Sequence, residues 1–482
     1  MAGAGAGMSE RFDVVVVGSG AGGGVIAGEL AERGRNVLLL ETGPHKTAAD
    51  FTRWEAKAAH DLWWPIRFAL IDGGAGGAVA LLGGRCVGGT TTINTKVALR
   101  AHEQDHRKWE AASGLTLSTD DLAPHYDRVE QRLGVRERTD WRKSVRTVEP
   151  AFRKLGAPLE AVRSYTDANC MSCGSCLQGC PTNAGKSTLN TYIHDAWAAG
   201  KLALRADARV ERVLFEGGEA KGVEYVDSAG ATRRVDADAV VVAAGTLNTP
   251  QLLIRSGLPD TASSRLVGRH LGFHPVRLVY GLFDEPQDAH MVYPITAHAI
   301  AHQRDEDGGF VIEATTIQDP VSFATTLEDE NGPLWGAPLV EAVRNFRRWN
   351  GVLAMVNDEN NGVVSVDENG QESFDAPFSA TEKERLAAAL DFSREVLREA
   401  GASQVLWTGI ASTHVQGTCR MGSDPERSVV DPNAQSWDVK RLYVGDGSVV
   451  PRTLSVNPSL TIMALASRLA EHLHEDANGY LS

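Results

Sequence analysis

The sequence lacks the features that direct a chain across a membrane or onto nucleic acid. No apolar run approaches the roughly 20 residues of a membrane-spanning helix. Basic residues are outnumbered, 48 against 62 acidic ones, and the net charge of −14 argues against nucleic acid and anionic membrane surfaces as partners. Residues 1–8 have neither the basic region nor the apolar core of a signal peptide, so we expect a cytoplasmic location.

Cysteine is also scarce, and its distribution is not that of a disulfide framework. Four of the six cysteines lie between residues 170 and 180, which favours a local metal or redox role. The remaining composition, with 43% hydrophobic residues, is that of an ordinary globular protein. Because 482 residues are more than one hydrophobic core usually serves, we expect two domains.

The pattern of residues 12–41 predicts a strand–turn–helix–strand unit. Val14–Val17 and Val37–Leu40 are continuous apolar runs, typical of strands buried on both faces of a parallel sheet. A glycine-rich turn follows the first run, and the Ala- and Leu-rich stretch Val25–Ala31 favours a helix between the two strands. Such a unit binds the pyrophosphate of a dinucleotide at the helix N-terminus.

Each glycine of the turn has a distinct expected role. Gly18 permits the tight turn, Gly20 lets the backbone approach a pyrophosphate, and Gly23 lets the helix pack closely on the strand. Glu41, at the end of the second strand, can accept hydrogen bonds from a ribose diol. The motif alone does not decide between FAD and NAD(P).

Two further glycine-containing stretches favour contact with a ligand. Residues 83–94 combine glycines with small hydroxyl residues, a composition that lets the backbone lie against something flat or phosphorylated. Residues 239–245 form another apolar strand that ends in Gly245 and leads through residues 246–250 into a helix. A surface glycine loop is the alternative for residues 83–94.

The predicted fold class is α/β, with a Rossmann-like dinucleotide-binding domain and a second domain built on an antiparallel sheet plus helices. Alternating strands between 260 and 410 and a helix that starts at the capping box Ser379-x-x-Glu382 support the second domain. The predicted first domain is discontinuous and comprises 8–100, 186–260 and 431–482. The covering domain, which includes the cysteine segment 170–180, comprises 101–185 and 261–430.

Chemically useful residues lie near the C-terminal end. His414 precedes a glycine-rich turn, and its ordinary pKa suits proton abstraction near neutrality. Asn457-Pro458 is a rigid corner that can present a side-chain amide, and Asp446 follows a strand, where it can meet a cofactor hydroxyl. Taken singly, a histidine in such a position is more often structural than catalytic.

Taken together, these motifs resemble those of the glucose–methanol–choline (GMC) oxidoreductase family over nearly the whole chain. The stretch that starts at Gly18 and ends at Glu41 resembles the FAD motif of the family, and residues 88–94 resemble its first signature, which packs against the flavin. Residues 243–250 resemble the second signature. The stretch that begins at His414, together with Asn457-Pro458, resembles the catalytic His/Asn pair.

The resemblance implies an FAD-dependent enzyme that oxidises an alcohol, with a sugar or another polyol among the candidate substrates. His414 would accept the hydroxyl proton, a hydride would pass from the carbinol carbon to flavin N5, and Asn457 would hydrogen-bond the substrate oxygen. Family members that tether the flavin use a histidine just before the signature asparagine; here that position is Ile93, so non-covalent FAD is expected. The implied cofactor-binding residues are Gly18, Gly20, Gly23, Glu41, Gly89, Thr90, Asn94, Val210 (through its backbone), Gly245, Asp446, Gly447, Asn457 and Pro458.

The cysteine run Cys170-x-x-Cys173-x-x-Cys176-x-x-x-Cys180 has the spacing of a bacterial ferredoxin. Soft thiolates at this density suit an iron–sulfur cluster or zinc. The fourth cysteine of such runs often serves a second cluster, and the sequence contains no second run, so a three-ligand 3Fe–4S centre and a reduced cysteine-rich turn are also open. The segment resembles both the iron–sulfur region of FAD-dependent glucose dehydrogenase subunits and long-chain alcohol oxidases, for which no cluster is implied.

The remaining alternatives concern chemistry and partners. A flavoprotein of other chemistry, or an electron-transfer flavoprotein that uses Cys170–Cys180 as a relay, competes with the alcohol-oxidising enzyme. An iron–sulfur cluster would favour a redox partner protein or a small subunit, in addition to the small-molecule alcohol. Residues 270–410 are expected to contain the substrate-lining side chains, with His274 and the regions of Trp335 and Trp349 as candidates, although a purely structural role for His274 stays open.

Overall fold

The computed structural model describes residues 10–315 and 320–476. The low-complexity segment 1–8 and the outermost parts of the predicted first domain, residues 8–9 and 477–482, lie outside these ranges. The helices are α1 (Gly23–Glu32), α2 (Glu55–Leu62), α3 (Glu103–Ser113), α4 (Thr119–Leu133), α5 (Lys143–Lys154), α6 (His194–Ala198), α7 (Asn248–Ser256), α8 (Pro320–Thr326), α9 (Ala337–Arg344), α10 (Ala380–Glu399) and α11 (Ser459–Glu475). Among the described residues, no helix has both the length and the apolar character needed to cross a membrane.

The strands fall into two large sheets and one short pair. In chain order they are β1 (Glu10–Val17), β2 (Val37–Leu40), β3 (Arg67–Leu70), β4 (Ala78–Leu81), β5 (Arg136–Glu137), β6 (Glu160–Ala161), β7 (Arg163–Ser164), β8 (Leu202–Arg205), β9 (Arg209–Glu216), β10 (Glu219–Val226), β11 (Thr232–Val242), β12 (Arg269–Leu271), β13 (Val276–Leu282), β14 (Ile295–Ala299), β15 (Phe310–Thr315), β16 (Leu327–Asp329), β17 (Gly332–Pro333), β18 (Trp349–Val356), β19 (Gly362–Val366), β20 (Glu372–Asp375), β21 (Gln404–Thr408), β22 (Ala411–Ser412) and β23 (Leu442–Val444).

The first sheet has a parallel core with an antiparallel extension. Its order is β8-β2-β1-β11, and the carboxyl half of β11 pairs with β23; all of these pairings are parallel. The amino-terminal half of β11 pairs antiparallel with β10, and β10 pairs antiparallel with β9. The apolar runs Val14–Val17 and Val37–Leu40 are buried, as strands covered on both faces require.

The second sheet is antiparallel except for the pairs β3–β20 and β4–β22. Helix α10 packs on it and begins at the predicted capping box, where Glu382 N donates to Ser379 Oγ at 3.1 Å and Ser379 N donates to the Glu382 carboxylate at 2.7 Å. The observed architecture agrees with the predicted α/β fold class.

The hairpin β3–β4 does not belong to the parallel sheet that contains β1 and β2. Strands β3 and β4 join the antiparallel sheet, whereas we predict that residues 8–100 belong to the first domain. The domain boundaries themselves stay a prediction.

The parallel strands position the site because their carboxyl ends lie at one edge. Gly18 follows β1, Glu41 follows β2, Ala243 follows β11 and Gly445 follows β23. Ligands of open α/β sheets bind in the crevice outside these strand ends.

Gly23 is expected to be essential for the packing of α1 on β1. A Cβ atom at this position would lie 1.9 Å from the backbone oxygen of Gly18, so the Gly23→Ala variant must shift the helix and should lose about 1–3 kcal/mol of stability. The matched control is Gly20→Ala, because a Cβ atom at Gly20 has no neighbour within 4 Å; it should change stability by less than about 1 kcal/mol. Urea denaturation of both FAD-free variants measures the difference, and equal stabilities would contradict this account of the packing.

Candidate active site

A cavity of about 520 Å³ lies at the carboxyl edge of the parallel sheet. This volume is typical of a small-molecule or cofactor site. With the exception of Gly23, every catalytic and cofactor-binding residue predicted from the sequence lines it: Gly18, Gly20, Glu41, Gly89, Thr90, Asn94, Val210, Gly245, His414, Asp446, Gly447, Asn457 and Pro458. Gly23 lies beneath the turn and serves helix packing instead.

The glycine-rich turn is shaped as a cradle for a ligand. Gly18 has a φ of +97°, and a Cβ atom there would lie 2.3 Å from the backbone oxygen of Ala243. Gly89 brings the second glycine loop against the turn, since its Cβ would lie 2.9 Å from Gly20 Cα. The open space beside Gly20 faces the cavity, so the residues fit the close approach of a pyrophosphate.

Glu41 joins the end of β2 to the glycine turn. Its carboxylate accepts hydrogen bonds from Ser19 Oγ at 2.6 Å, Ser19 N at 3.1 Å and Gly43 N at 2.8 Å. Burial raises the pKa of Glu41, and the hydrogen bonds from Ser19 and Gly43 oppose this shift. A carboxylate has about four acceptor sites, so the cavity-lining Glu41 retains capacity for a ribose hydroxyl.

Ser19 is a site residue that sequence reasoning missed. Its hydroxyl donates to Glu41 and accepts from Gly88 N at 2.9 Å, so one side chain links the turn, the acidic residue and the second glycine loop. No sequence signal identifies it, because any residue satisfies this position of the Gly-x-Gly motif.

Asp446 joins the loop after β23 to the loop after β11. Its Oδ2 atom accepts hydrogen bonds from Gly245 N at 2.8 Å and from Thr249 Oγ1 at 2.5 Å, and its Oδ1 atom accepts from Ser448 N at 2.8 Å. The loops after β11 and β23 are therefore held together by one carboxylate that also lines the cavity.

Two histidines form a hydrogen-bonded chain at the other end of the cavity. His274 Nε2 lies 2.5 Å from the carbonyl oxygen of Leu454, and His274 Nδ1 lies 3.0 Å from His414 Nδ1. Because a carbonyl only accepts, His274 carries its proton on Nε2 and its Nδ1 is an acceptor. His414 therefore donates from Nδ1, and its Nε2 keeps the lone pair.

Both histidines are neutral at physiological pH. Burial lowers the pKa of His274 to about 4. The pKa of His414 is lowered well below its ordinary range, first by burial and then by the neighbouring His274. A neutral His414 with a free Nε2, on the wall of the cavity, is a ready proton acceptor.

Asn457 lines the same cavity as His414. It immediately precedes Pro458 and helix α11, and its side chain is buried. Within the described ranges, its Oδ1 atom has no hydrogen-bond partner. A buried polar atom without a partner indicates a place where a ligand or another group completes the site.

The predicted substrate-lining residues of the second domain are placed differently. Trp349 is fully buried in the core, where its indole N–H donates to the carbonyl of Ala342 at 2.9 Å, and Trp335 is 82% exposed. The lining expectation for these two regions is therefore wrong. His274 lies behind His414, a position that only the tertiary fold defines.

Comparison with known proteins identifies the family. The two sequence models of the GMC oxidoreductases match residues 12–276 and 282–466. An uncharacterised GMC-type oxidoreductase of Mycobacterium tuberculosis is 33% identical, with 96% of this chain and 75% of the relative aligned. The chain belongs to the GMC oxidoreductase family and is an FAD-type oxidoreductase, which confirms the predicted family and enzyme class.

Two further comparisons extend this assignment. A long-chain-alcohol oxidase of Arabidopsis thaliana is 28% identical over 95% of this chain, which spans 66% of the plant protein. The structure of pyridoxine 4-oxidase from Mesorbium loti has a TM-score of 0.74 at 20% identity, and the match covers 96% of this chain and 99% of that one. The structural match confirms the predicted fold class.

The cysteine segment is arranged differently from a metal site. Across 10–315 and 320–476, no three His, Cys, Asp or Glu side chains are grouped so that they could hold a metal ion, and the cysteines are unpaired. Burial raises the pKa of Cys176 to about 12, and Cys180 Sγ accepts a hydrogen bond from Gly185 N at 3.2 Å. The structure therefore gives the iron–sulfur and zinc predictions for Cys170, Cys173, Cys176 and Cys180 no support.

Metal analysis tests this arrangement directly. Protein purified without oxygen is expected to contain well under one iron or zinc per chain and to show a plain flavin spectrum. The Cys173→Ser variant should have the same spectrum, since a solvent-accessible thiol that binds nothing can be replaced by a hydroxyl. Several irons per chain with matching acid-labile sulfide, both lost in Cys173→Ser, would contradict this expectation.

Proposed function

We propose that the protein oxidises an alcohol to a carbonyl compound, with His414 as the base and Asn457 as the hydrogen-bond partner of the substrate oxygen. The observation that carries the proposal is the chain Leu454–His274–His414, which leaves a lone pair on His414 Nε2 at the cavity wall. A base with this geometry takes the proton of a hydroxyl group.

Non-covalently bound FAD, when present, supplies the isoalloxazine ring that accepts a hydride from the carbinol carbon. The residues that would hold it are the cavity-lining glycine turn and Glu41, together with Gly89, Thr90, Gly447 and Pro458. The buried side chain of Ile93, a hydrocarbon, offers no atom for a covalent tether. The similarity to a long-chain-alcohol oxidase supports an alcohol as the substrate class.

Each residue of the pair has a defined task in this proposal. His414 removes the hydroxyl proton at Nε2, and His274 holds the imidazole in the correct tautomer from behind. Asn457, which precedes helix α11, binds the oxygen on which negative charge develops. Hydrogen-bond donors that are already oriented toward a developing charge stabilise the transition state without reorganisation.

Removing the base tests the proposal. The His414→Ala variant is expected to reduce its flavin with an alcohol about 10²–10⁴-fold more slowly than the wild type, the usual contribution of a positioned base, while FAD stays bound. Anaerobic stopped-flow absorbance across short-chain, long-chain and polyhydroxy alcohols measures the rate constant. His60→Ala, at a histidine whose side chain is 87% exposed, is the matched control. Wild-type flavin reduction by His414→Ala would remove His414 from the mechanism.

A further inference from the structure

A buried carboxyl group lies next to Asn457 but has no role in the proposed reaction. Glu313, on strand β15, is 1% exposed, and neither of its carboxyl oxygens has a hydrogen-bond partner in the described part of the chain. Its neighbours Phe310 and Ile312 pack into the core formed with helices α5 and α10. Since side chains alternate along a strand, Glu313 points to the opposite face of the sheet.

The groups around Glu313 are neutral. His298 is its partner on β14, Leu353 is its partner on β18, and the Asn457 side chain lies close enough to influence its pKa. Burial lowers the pKa of His298 to about 4, so this histidine is uncharged at neutral pH. Burial raises the pKa of Glu313 to about 7, and only the Asn457 side chain opposes that shift. Helices α5 and α10 lie on the other face of the sheet and present no charge to Glu313.

Glu313 and Asn457 each have an unsatisfied oxygen, and two oxygens that only accept cannot satisfy each other. Among the described residues, both Glu313 oxygens and Asn457 Oδ1 lack hydrogen-bond partners. A protonated carboxyl group, in contrast, has one O–H donor. With the Asn457 amide turned so that Oδ1 faces Glu313, donation from the protonated carboxyl group to Oδ1 would satisfy both side chains at once and leave Asn457 Nδ2 free for the cavity.

The two protonation states of Glu313 orient Asn457 in opposite ways. An ionised carboxylate only accepts, so it would attract Asn457 Nδ2 and leave the amide oxygen for the substrate. An amide oxygen repels the negative charge that develops on the substrate oxygen. The protonated state of Glu313 therefore leaves the Asn457 Nδ2 donor facing the substrate oxygen.

We propose that Glu313 is a positioning residue whose protonated carboxyl group donates to Asn457 Oδ1 and turns Asn457 Nδ2 toward the substrate oxygen. This inference rests on the proposed function of the same site. Glu313 acts through Asn457 and takes no proton from the alcohol.

The pH dependence of flavin reduction by an alcohol follows from this role. Glu313 donates only below its pKa, so the rate constant in the wild type should fall as the pH rises through about 7. His414 adds no loss on the acid side near pH 6.5, because its own pKa lies well below that value. The rate constant should therefore be higher at pH 6 than at pH 8.

Two substitutions separate positioning from structure. Glu313→Gln carries a permanent donor, so it should lose the decline above pH 7 and stay within about tenfold of the wild-type rate constant at pH 6. Glu313→Leu carries no donor and should be slower by on the order of 10–100-fold at every pH. Asp358→Asn is the matched control, since Asp358 is another buried carboxyl with a pKa raised to about 7, held by Phe273 N; this variant should keep the decline.

A second readout does not depend on turnover. Infrared difference spectra of the holoenzyme should contain a carbonyl band from a protonated carboxyl group that disappears in Glu313→Gln and titrates with the midpoint of the rate decline. This readout also tests the role of Glu313 if Glu313→Leu does not fold.

The outcomes distinguish this inference from the proposed function. A decline above pH 7 that persists in Glu313→Gln, or a Glu313 band that is absent at pH 6, would overturn the role of Glu313 even if His414→Ala is inactive. A Glu313→Gln variant that changes only the unfolding temperature would likewise reduce Glu313 to a structural residue. Loss of the decline together with the matching infrared band supports the inference.

Discussion

The hydrogen bond from His274 Nε2 to the carbonyl oxygen of Leu454 determines the chemistry that the rest of the site can perform. A backbone carbonyl has no proton to give, so this contact fixes one tautomer of His274 and, through it, one tautomer of His414. Burial keeps both rings neutral. The free lone pair on His414 is thus a consequence of where the backbone of Leu454 lies.

The remainder of the fold serves to bring distant segments to this point. Strand ends from β1, β2, β11 and β23 meet at one edge of the parallel sheet, and two carboxylates join the loops that follow them. Glu41 fixes the first glycine turn through Ser19, and Asp446 fixes the loop after β11 through Gly245 and Thr249. Both acids therefore organise the cradle before any ligand is bound.

The sequence predicts those parts of the site that depend on local pattern. The glycine turn, the strand runs and the His414 and Asn457 segments have motif-level signatures, and their residues line one cavity. Ser19, His274 and Glu313 have no such signature, because their importance comes from partners 69, 140 and more than 100 residues away in the chain. The cysteine spacing is insufficient for the same reason: spacing describes the chain, whereas a metal site needs side chains that converge in space. Likewise, the sheet that β3 and β4 join is set by their pairing with β20 and β22, which lie far along the chain.

Neutron diffraction from crystals of the deuterium-exchanged holoenzyme tests the central claim most directly, because it locates the exchanged protons on both imidazoles. The account predicts deuterium on His274 Nε2 and His414 Nδ1, with none on His414 Nε2. Deuterium on His414 Nε2 would contradict it, since that ring could then not accept the hydroxyl proton of an alcohol.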